Sequence, residues 1–291
     1  MKPREGHLAL AFLAMIAAIA STASALTFDP RKIATYLMMG LTFSLTSIIV
    51  YYRKMEFLAS SATHTSLLAV ITGLMLESLT GVQYSIWSLL IGLLILYMAG
   101  VLIRRGLDPN STSAIIVAST SAFSVIGGYL LITYFPVNYN LNSLFLGDPL
   151  LLSSRDVVLV SLITFTVSTI FIFSIQEILS IGIDEVSVKL LGLKTGVYDA
   201  LTYTIIGLTS IGLLRVSGYI LQHVLILLPA ITASFYSNSG RELILYSITL
   251  SLFSCSVGFL LSLYFNLSPT GLTGVVLVVF MINGVFRRWV Q

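Results

Sequence analysis

Charged residues are scarce in this chain of 291 residues. Lys, Arg, Asp and Glu together make up 9% of it, whereas 57% of the residues are hydrophobic and the net charge is only +3. Soluble proteins average roughly 25% charged residues, so the chain lacks the polar surface that a water-soluble protein of this length requires. The mean hydropathy of +0.99 agrees. The composition disfavours a cytosolic enzyme or a nucleic-acid-binding protein and predicts an integral membrane protein.

Cysteine and the common catalytic motifs are also missing. The single cysteine, Cys255, excludes an internal disulfide and a thiolate metal cluster. The chain has no HExxH, CxxC or GxSxG motif. The sequence Gly192-Leu-Lys-Thr195 has leucine where a phosphate-binding loop of the Walker type needs glycine. We therefore expect neither enzyme activity nor a permanently bound cofactor.

The few charges separate apolar segments that are long enough to cross a bilayer, which takes roughly 20 residues per helix. Polar or turn-forming residues at 136–142 and 266–271 divide the two longest charge-free runs. The pattern predicts an all-α membrane protein with about 8–10 transmembrane segments, two of which could form one broken pair near Gly218. The predicted spans are 8–28, 34–52, 57–80, 83–103, 112–135, 157–175, 198–217, 219–236, 243–264 and 270–286.

Basic residues give these spans an orientation. Cytoplasmic loops of membrane proteins are enriched in Lys and Arg, and one orientation places 11 of the 15 basic residues inside. It predicts a multi-pass protein of the plasma membrane with both termini in the cytoplasm. The 11 residues are Lys2, Arg4, Arg53, Lys54, Arg104, Arg105, Lys189, Lys194, Arg241, Arg287 and Arg288.

The first segment has two interpretations. Its basic start, its apolar run and the sequence Ser21-Thr-Ala-Ser-Ala25 resemble a secretory signal with an Ala-x-Ala cleavage site. The alternative, which we favour, is a retained anchor helix. Cleavage would leave the topology of the remaining spans unchanged.

Polar residues inside apolar spans are costly, and this makes them candidates for function. The densest group is Glu56, Ser60 and His64, whose spacing of four residues places them on one face of a helix. A neutral imidazole suits a borderline metal such as Zn or Mn, and a carboxylate would compensate its charge. The alternative is a packing face of small residues in which His64 hydrogen-bonds to a neighbouring helix.

A second polar pair, Gln222-His223, lies six residues before Pro229. The pair fits a hydrogen bond between helices, and His223 also fits a second ligand or a gating group. Pro229 removes one backbone donor and is expected to kink its helix.

A third feature is the polar stretch 180–194, in which Val186, Leu190 and Leu193 recur at helical spacing, opposite charged residues. This pattern predicts a short amphipathic helix between two spans. It is either a solvated loop or a docking helix for a cytosolic partner.

Five short motifs in a fixed order connect these features. They are Arg53-Lys-Met-Glu-Phe-Leu-Ala-Ser-Ser-Ala-Thr-His64, Leu144-Phe-Leu-Gly-Asp148, Asp184-Glu-Val-Ser-Val-Lys-Leu-Leu-Gly-Leu193, Leu214-Arg-Val-Ser-Gly218 followed by Pro229-Ala-Ile-Thr-Ala233, and Ser268-Pro-Thr-Gly271. Together, over residues 35–286, they resemble the membrane permeases of zinc/manganese-type ABC importers, which are related to the permeases for vitamin B12 and siderophores.

The resemblance implies a type II importer-like fold, with residues 31–291 as the permease domain and 1–30 as an additional N-terminal segment. It implies a homodimer whose shared interface forms the path for a divalent ion of the Zn or Mn class. It also implies an extracytoplasmic metal-binding protein and separate cytosolic ATPase subunits that hydrolyse ATP. Gly218 and Pro229 would be structural or gating positions. The ATPase contacts would be Asp184, Glu185, Lys189, Leu190, Gly192, Leu193 and Lys194.

One departure from the family pattern concerns the metal path. The early motif of the family has Gly-Asp where this chain has Ala59-Ser60. A neutral hydroxyl binds a divalent cation weakly and leaves its charge uncompensated. Either Glu56 or His223 could replace the missing ligand. Alternatively, the same fold imports a metal chelate or another small solute, or the chain is a scaffold that no longer transports but still docks an ATPase.

Overall fold

A computed structural model describes residues 3–135, 141–147 and 149–290. All regular elements in these ranges are helical, which confirms the all-α prediction. Besides a 3₁₀ turn at Pro149–Leu151, they are α1 (Pro3–Thr27), α2 (Pro30–Arg53), α3 (Glu56–Thr80), α4 (Tyr84–Arg104), α5 (Pro109–Tyr134), α6 (Leu141–Leu146), α7 (Ser154–Ile183), α8 (Glu185–Leu190), α9 (Thr195–Gly212), α10 (Leu214–Tyr236), α11 (Gly240–Phe265) and α12 (Pro269–Val290).

Within the described ranges, nine helices have the length and apolar composition of membrane spans. The tenth long helix, α9, falls outside this set because polar residues occupy its first turns, among them Thr195 and Asp199. The predicted span 157–175 is too short, since α7 continues to Ile183. The predicted span 198–217 is too long, because α9 already ends at Gly212.

Local signals explain where several helices begin. Ser153 and Asp156 form a reciprocal capping box at the start of α7, in which the Ser153 backbone N–H donates to Asp156 Oδ2 over 2.8 Å. At α2, Asp29 accepts from the backbone N–H of Arg31, and Pro30 occupies the first helical position, where its missing N–H costs nothing. These caps satisfy donors that a helix start would otherwise leave unpaired.

Helix α2 lies at the centre of the bundle. In its apolar window 78% of the residues are buried, against 28% in both α4 and α5. It packs against α7, α10 and α11. The peripheral helix α1 packs mainly on α11 and buries few apolar side chains, among them Ala17 and Ala20. Helix α2 is therefore enclosed mainly by α7, α10 and α11, and α1 lies at the periphery.

Charged residues join several helix ends at one end of the bundle, which we call the basic end. Here Asp199 near the start of α9 accepts from Arg53 at the end of α2, over 2.5 Å, and from Arg104 at the end of α4, over 3.2 Å. At the opposite end, Lys32 of α2 donates to the Leu150 carbonyl over 2.5 Å. The ends of α2 and α4 and the start of α9 therefore lie at one end of the bundle, and the start of α2 lies at the other.

The region between α9 and α10 contains two breaks. The first is the turn at Leu213, and the second is Gly218, whose φ of 73° and ψ of 153° interrupt α10. The backbones of Gly147 and Gly218 approach so closely that a Cβ atom on either glycine would overlap the other segment. The break predicted near Gly218 is present, and it fixes the short helix α6 against α10.

Candidate functional site

The structure brings His64 of α3 and His223 of α10 together. Their ring centroids are 5.3 Å apart, and the two rings meet edge to face with an interplanar angle of 80°. Both side chains are half-buried in the interior of apolar helices. Two residues that lie 159 positions apart in the chain thus form one site, which we call the histidine pair.

Tyr219 closes one side of the histidine pair. Its hydroxyl lies 2.9 Å from His64 Nδ1, and its ring is in edge-to-face contact with both imidazoles, at centroid distances of 5.4 Å and 5.1 Å. Ser121 of α5 places a second hydroxyl 2.9 Å from the same nitrogen. Three helices therefore hold the His64 ring in one orientation.

His223 is held through both of its ring nitrogens. Nδ1 lies 3.1 Å from the backbone carbonyl of Tyr219, and Nε2 lies 2.6 Å from the Thr63 hydroxyl. Because a carbonyl can only accept, Nδ1 carries the proton of the neutral ring. Nε2 then accepts from the Thr63 hydroxyl, and its electron pair becomes available to a metal when that hydroxyl turns to its other acceptor, the Ser60 carbonyl, 2.6 Å away.

A cavity of about 410 Å³ adjoins the histidine pair on the side of His64. It lies between α3, α5, α6 and α10, and its lining includes Ser121, Tyr129, Phe145 and Tyr219. Phe145 of α6 also contacts the Tyr219 ring at 6.2 Å. The cavity has the volume of a small-molecule site, but its lining is mainly apolar.

Glu56 and Ser60 precede His64 on α3, towards the start of that helix. Both are half-buried on α3, where Ser60 lies one turn before His64 and Glu56 two turns before it. Eight residues of helix correspond to about 12 Å. The described part of the chain contains no group of three or more His, Cys, Asp or Glu side chains that could hold a metal. Asp148 lies outside that part.

Gln222, next to His223, is fully buried and has a structural role. Its Nε2 donates to the Ser210 carbonyl over 2.6 Å, and its Oε1 accepts from Ser66 over 3.2 Å. The side chain therefore links α9, α10 and α3. This is the hydrogen bond between helices that the sequence offered as one interpretation.

Sequence reasoning did not identify Tyr219, Ser121 or Thr63 as members of the site. Tyr219 had a signal, because it precedes His223 by four residues and therefore shares its helix face. Ser121 had none, since nothing in the sequence shows that α5 packs beside α3. Thr63 had a weak signal, because it lies next to His64 in the polar segment of α3 but does not share the helix face of Glu56, Ser60 and His64.

The amphipathic helix predicted near 184–194 is present as α8, which is shorter than the predicted segment. The Asp184 carboxylate caps it by accepting from the backbone N–H groups of Val186 and Ser187, each over 3.1 Å, and from the Ser187 hydroxyl over 2.5 Å. These bonds, led by the one from the hydroxyl, lower the pKa of Asp184. The helix ends at Leu190.

Beyond α8 the chain turns at Gly192, whose φ of +86° is left-handed. Lys194 is exposed, Leu193 is half-buried, and Glu185 and Lys189 pair on the surface over 2.6 Å. The segment nevertheless exposes large apolar side chains. The exposed fractions are 76% for Ile183, 69% for Val186, 83% for Leu190 and 84% for Leu191.

Comparison with known proteins gives one family match that spans almost the whole chain. The model of the ABC 3 transport family matches residues 10–288. A probable metal transport system membrane protein of Thermotoga maritima is 25% identical over 233 residues, which are 77% of each chain. The manganese transport system membrane protein MntB of Synechocystis is 22% identical over 252 residues, 85% of this chain and 78% of that protein.

A solved structure shares the fold. PsaBC from Streptococcus pneumoniae, in complex with a Fab, superposes with a TM-score of 0.77 at 18% identity, covering 91% of this chain and 94% of the other. The likeness confirms the predicted type II importer-like architecture.

Proposed function

Since the chain belongs to the ABC 3 transport family, we propose that it is the membrane permease of an ATP-driven importer for divalent metal ions of the manganese or zinc class. In this proposal two copies form a homodimer, and the ion passes along their shared interface. Cytosolic ATPase subunits hydrolyse ATP, and an extracytoplasmic binding protein delivers the ion. The names of the relatives, which include a manganese transport protein, support the cargo class.

The observation that carries the proposal is the histidine pair. Two imidazoles 5.3 Å apart offer nitrogen ligands to a borderline divalent cation in the interior of an apolar bundle. Ser121, Tyr219 and Thr63 orient the rings, as partners of metal-binding imidazoles generally do.

Among the described residues the histidine pair has no carboxylate beside it. We therefore expect it to bind a divalent ion weakly, which suits a site that the ion passes through better than a site that retains the ion. A path must bind its ion well enough to admit it and weakly enough to release it. We propose that His64 and His223 provide a low-affinity station, with Ser60 one turn further along the path. Glu56 would then act nearer the basic end and not as a direct replacement for the family's aspartate.

The exposed apolar side chains of α8 support the ATPase contact. Leu190 and Leu191 are more than four-fifths exposed, although they lie at the end of the bundle where helix termini carry the charges. Exposed apolar patches on such a segment are typical of a protein interface. The positive-inside rule would place this end in the cytoplasm, where an ATPase is found.

Uptake by the reconstituted complex tests the role of the histidine pair. The permease, its ATPase and its binding protein would be placed in vesicles, and uptake of radioactive Mn²⁺ and Zn²⁺ would be measured with ATP inside. We expect at least a tenfold loss for His64→Ala and for His223→Ala. A matched control is Thr72→Ala on the same helix as His64, because the Thr72 hydroxyl bonds only within α3. Uptake at the wild-type rate by both histidine variants would remove the metal role from the pair.

The apolar cavity beside His64 favours one second candidate, the import of a metal chelate or another small solute. Its volume of about 410 Å³ exceeds what a bare ion needs. The same vesicles distinguish the two cargoes. A chelate importer would hydrolyse ATP in response to a binding protein loaded with the chelate and would ignore the protein loaded with the free ion.

A further inference from the structure

A second cavity lies at the basic end of the bundle. Its volume is about 830 Å³, and the ends of α2, α4 and α7 enclose it together with α8 and the first turns of α5 and α9. Met55, Phe57 and Leu58 at the start of α3 also line it, so it adjoins the basic end of the proposed transport path. We call it the basic-end cavity.

The lining of the basic-end cavity carries more positive than negative charge. Four basic and two acidic side chains contribute, so the lining has a net charge of +2. The basic residues are Arg53, Lys54, Arg104 and Lys189, and the acidic residues are Glu185 and Asp199. Glu185 is already paired with Lys189. The excess positive charge therefore lies on the side of Arg53, Lys54 and Arg104.

On that side a single carboxylate forms ion pairs with two guanidinium groups. Asp199 accepts from Arg53 and from Arg104, and Arg104 also donates to the Gly196 carbonyl over 2.5 Å. Because the side chain of Arg53 is only 6% exposed, water does not neutralise its charge effectively. The three side chains together carry a net charge of +1, and the Arg104 side chain is 48% exposed.

Two buried polar atoms of the cavity lining have no hydrogen-bond partner among the described residues. They are Nη1 of Arg53 and Oγ of Ser113. Ser113 is fully buried near the start of α5. An unpaired buried donor costs free energy, more so when it is charged, so two such donors beside one cavity indicate a missing acceptor.

We propose that the basic-end cavity binds a phosphate group, with Arg53 and Ser113 as the inner donors and Lys54 and Lys189 at the rim. A guanidinium and a hydroxyl are the donors that proteins commonly use for phosphate oxygens, and the charge of a phosphate would neutralise the excess. The start of α5 at Pro109 adds the positive end of a helix dipole. The volume leaves room for an organic group attached to the phosphate.

Binding of inorganic phosphate to the full-length chain tests the proposal. The protein would be purified in uncharged detergent and titrated with phosphate by calorimetry, at constant ionic strength with chloride as the reference. We expect saturable binding that weakens about threefold to tenfold in Ser113→Ala, which loses a neutral hydrogen bond, and at least about tenfold in Arg53→Gln, which loses a charged one. The matched controls are Ser119→Ala and Arg105→Gln, whose side chains are outside the lining and should bind as the wild type does.

A variant with the opposite sign separates binding from folding. Asp199→Asn removes the carboxylate that competes for Arg53, so phosphate should bind more tightly to this variant. A folding defect alone would weaken binding in every variant. The proposal is wrong if no phosphate binds at millimolar concentration, if Arg105→Gln weakens binding as much as Arg53→Gln, or if Asp199→Asn weakens it.

Titration of the protein with inorganic phosphate in lipid nanodiscs distinguishes two sources of the phosphate group, a lipid headgroup and a soluble compound. Anionic phosphatidylglycerol should block inorganic phosphate if a lipid headgroup occupies the cavity, whereas phosphatidylcholine and phosphatidylglycerol discs should bind it equally if the ligand is a soluble phosphate compound. Both results support the site. If assembly with the ATPase subunit abolishes phosphate binding in phosphatidylcholine discs, an acidic side chain of that partner is the occupant and the phosphate proposal fails. None of these outcomes depends on the transported ion, so they are independent of the uptake test.

Discussion

The histidine pair and the basic end use polar residues in opposite ways. In the interior, His64 and His223 face hydroxyl groups and a backbone carbonyl, so the contacts we observe there are between neutral groups. At the basic end, Asp199 holds two arginines through full charges. Neutral partners suit a site that a charged cargo must enter and leave, whereas ion pairs suit a junction of helices that must stay together. The comparison predicts that substitutions at the basic end damage stability, while those at the histidine pair damage transport.

The largest effect on stability is expected from Asp199→Ala. Removing one partner of a buried ion pair leaves the other charge uncompensated, which costs about 3 kcal/mol or more. Thermal unfolding of the purified protein in detergent would measure the loss. The control is Glu185→Ala, because the exposed Glu185–Lys189 pair contributes less than about 1 kcal/mol. Equal losses for the two variants would contradict the difference between buried and surface pairs.

Gly218→Ala should have the next largest effect. A φ of +73° costs an L-residue about 1–2 kcal/mol, and the added Cβ would overlap the backbone near Gly147. We expect a loss of about 2 kcal/mol in the same unfolding assay, accompanied by reduced uptake because Tyr219 is displaced. Gly271→Ala is the control, since its Cβ would meet only the Ser268 side chain at 3.9 Å. A fully stable Gly218→Ala protein would show that the break is not rigid.

Tyr219→Phe should change stability little and uptake more. It removes one hydroxyl that lies 2.9 Å from His64 Nδ1, a bond that contributes about 1 kcal/mol. The His64 ring then keeps only Ser121 as a partner at that nitrogen, so metal uptake should fall severalfold in the vesicle assay. Unchanged uptake would show that Tyr219 packs against the imidazoles without orienting them.

The smallest effect concerns Asp184 at the start of α8. Hydrogen bonds from Ser187 and Val186 lower the pKa of this carboxyl. A group whose pKa is lowered by folding stabilises the fold above its ordinary pKa, and the contribution is lost as the pH falls through the lowered value. In Ser187→Ala the pKa should rise towards the ordinary value of 3.8. A carboxyl NMR titration of Asp184 measures the shift, and Ser180→Ala, whose hydroxyl bonds to the Gln176 carbonyl, is the control.

The positions of the spans could be predicted because charged residues lie between the apolar segments. Burying a charge in a bilayer is costly, so charged residues are rare inside the spans. The sequence predicted a break near Gly218 from glycine, but not the turn at Leu213, because a leucine carries no turn signal. It predicted the two histidines as separate candidates. Their meeting depends on how α3 packs against α10, and spacing along one helix contains no such information. The same limit applies to Glu56, because its spacing places it on the face of His64, two turns earlier, without showing which other helix it meets.

Ser47 of α2 joins the central helix to α10 beside Pro229. Its hydroxyl accepts from the Ala230 N–H over 3.1 Å and lies 3.3 Å from the Leu227 carbonyl, so it satisfies the backbone on both sides of Pro229. Proline inside a helix is a common cause of kinks, and here Ser47 bonds the backbone around Pro229 to the central helix. We therefore expect the part of α10 after Pro229 to keep its position on α2. The two breaks at Leu213 and Gly218 precede His223, so they are the points of α10 where we expect a change of helix direction to occur.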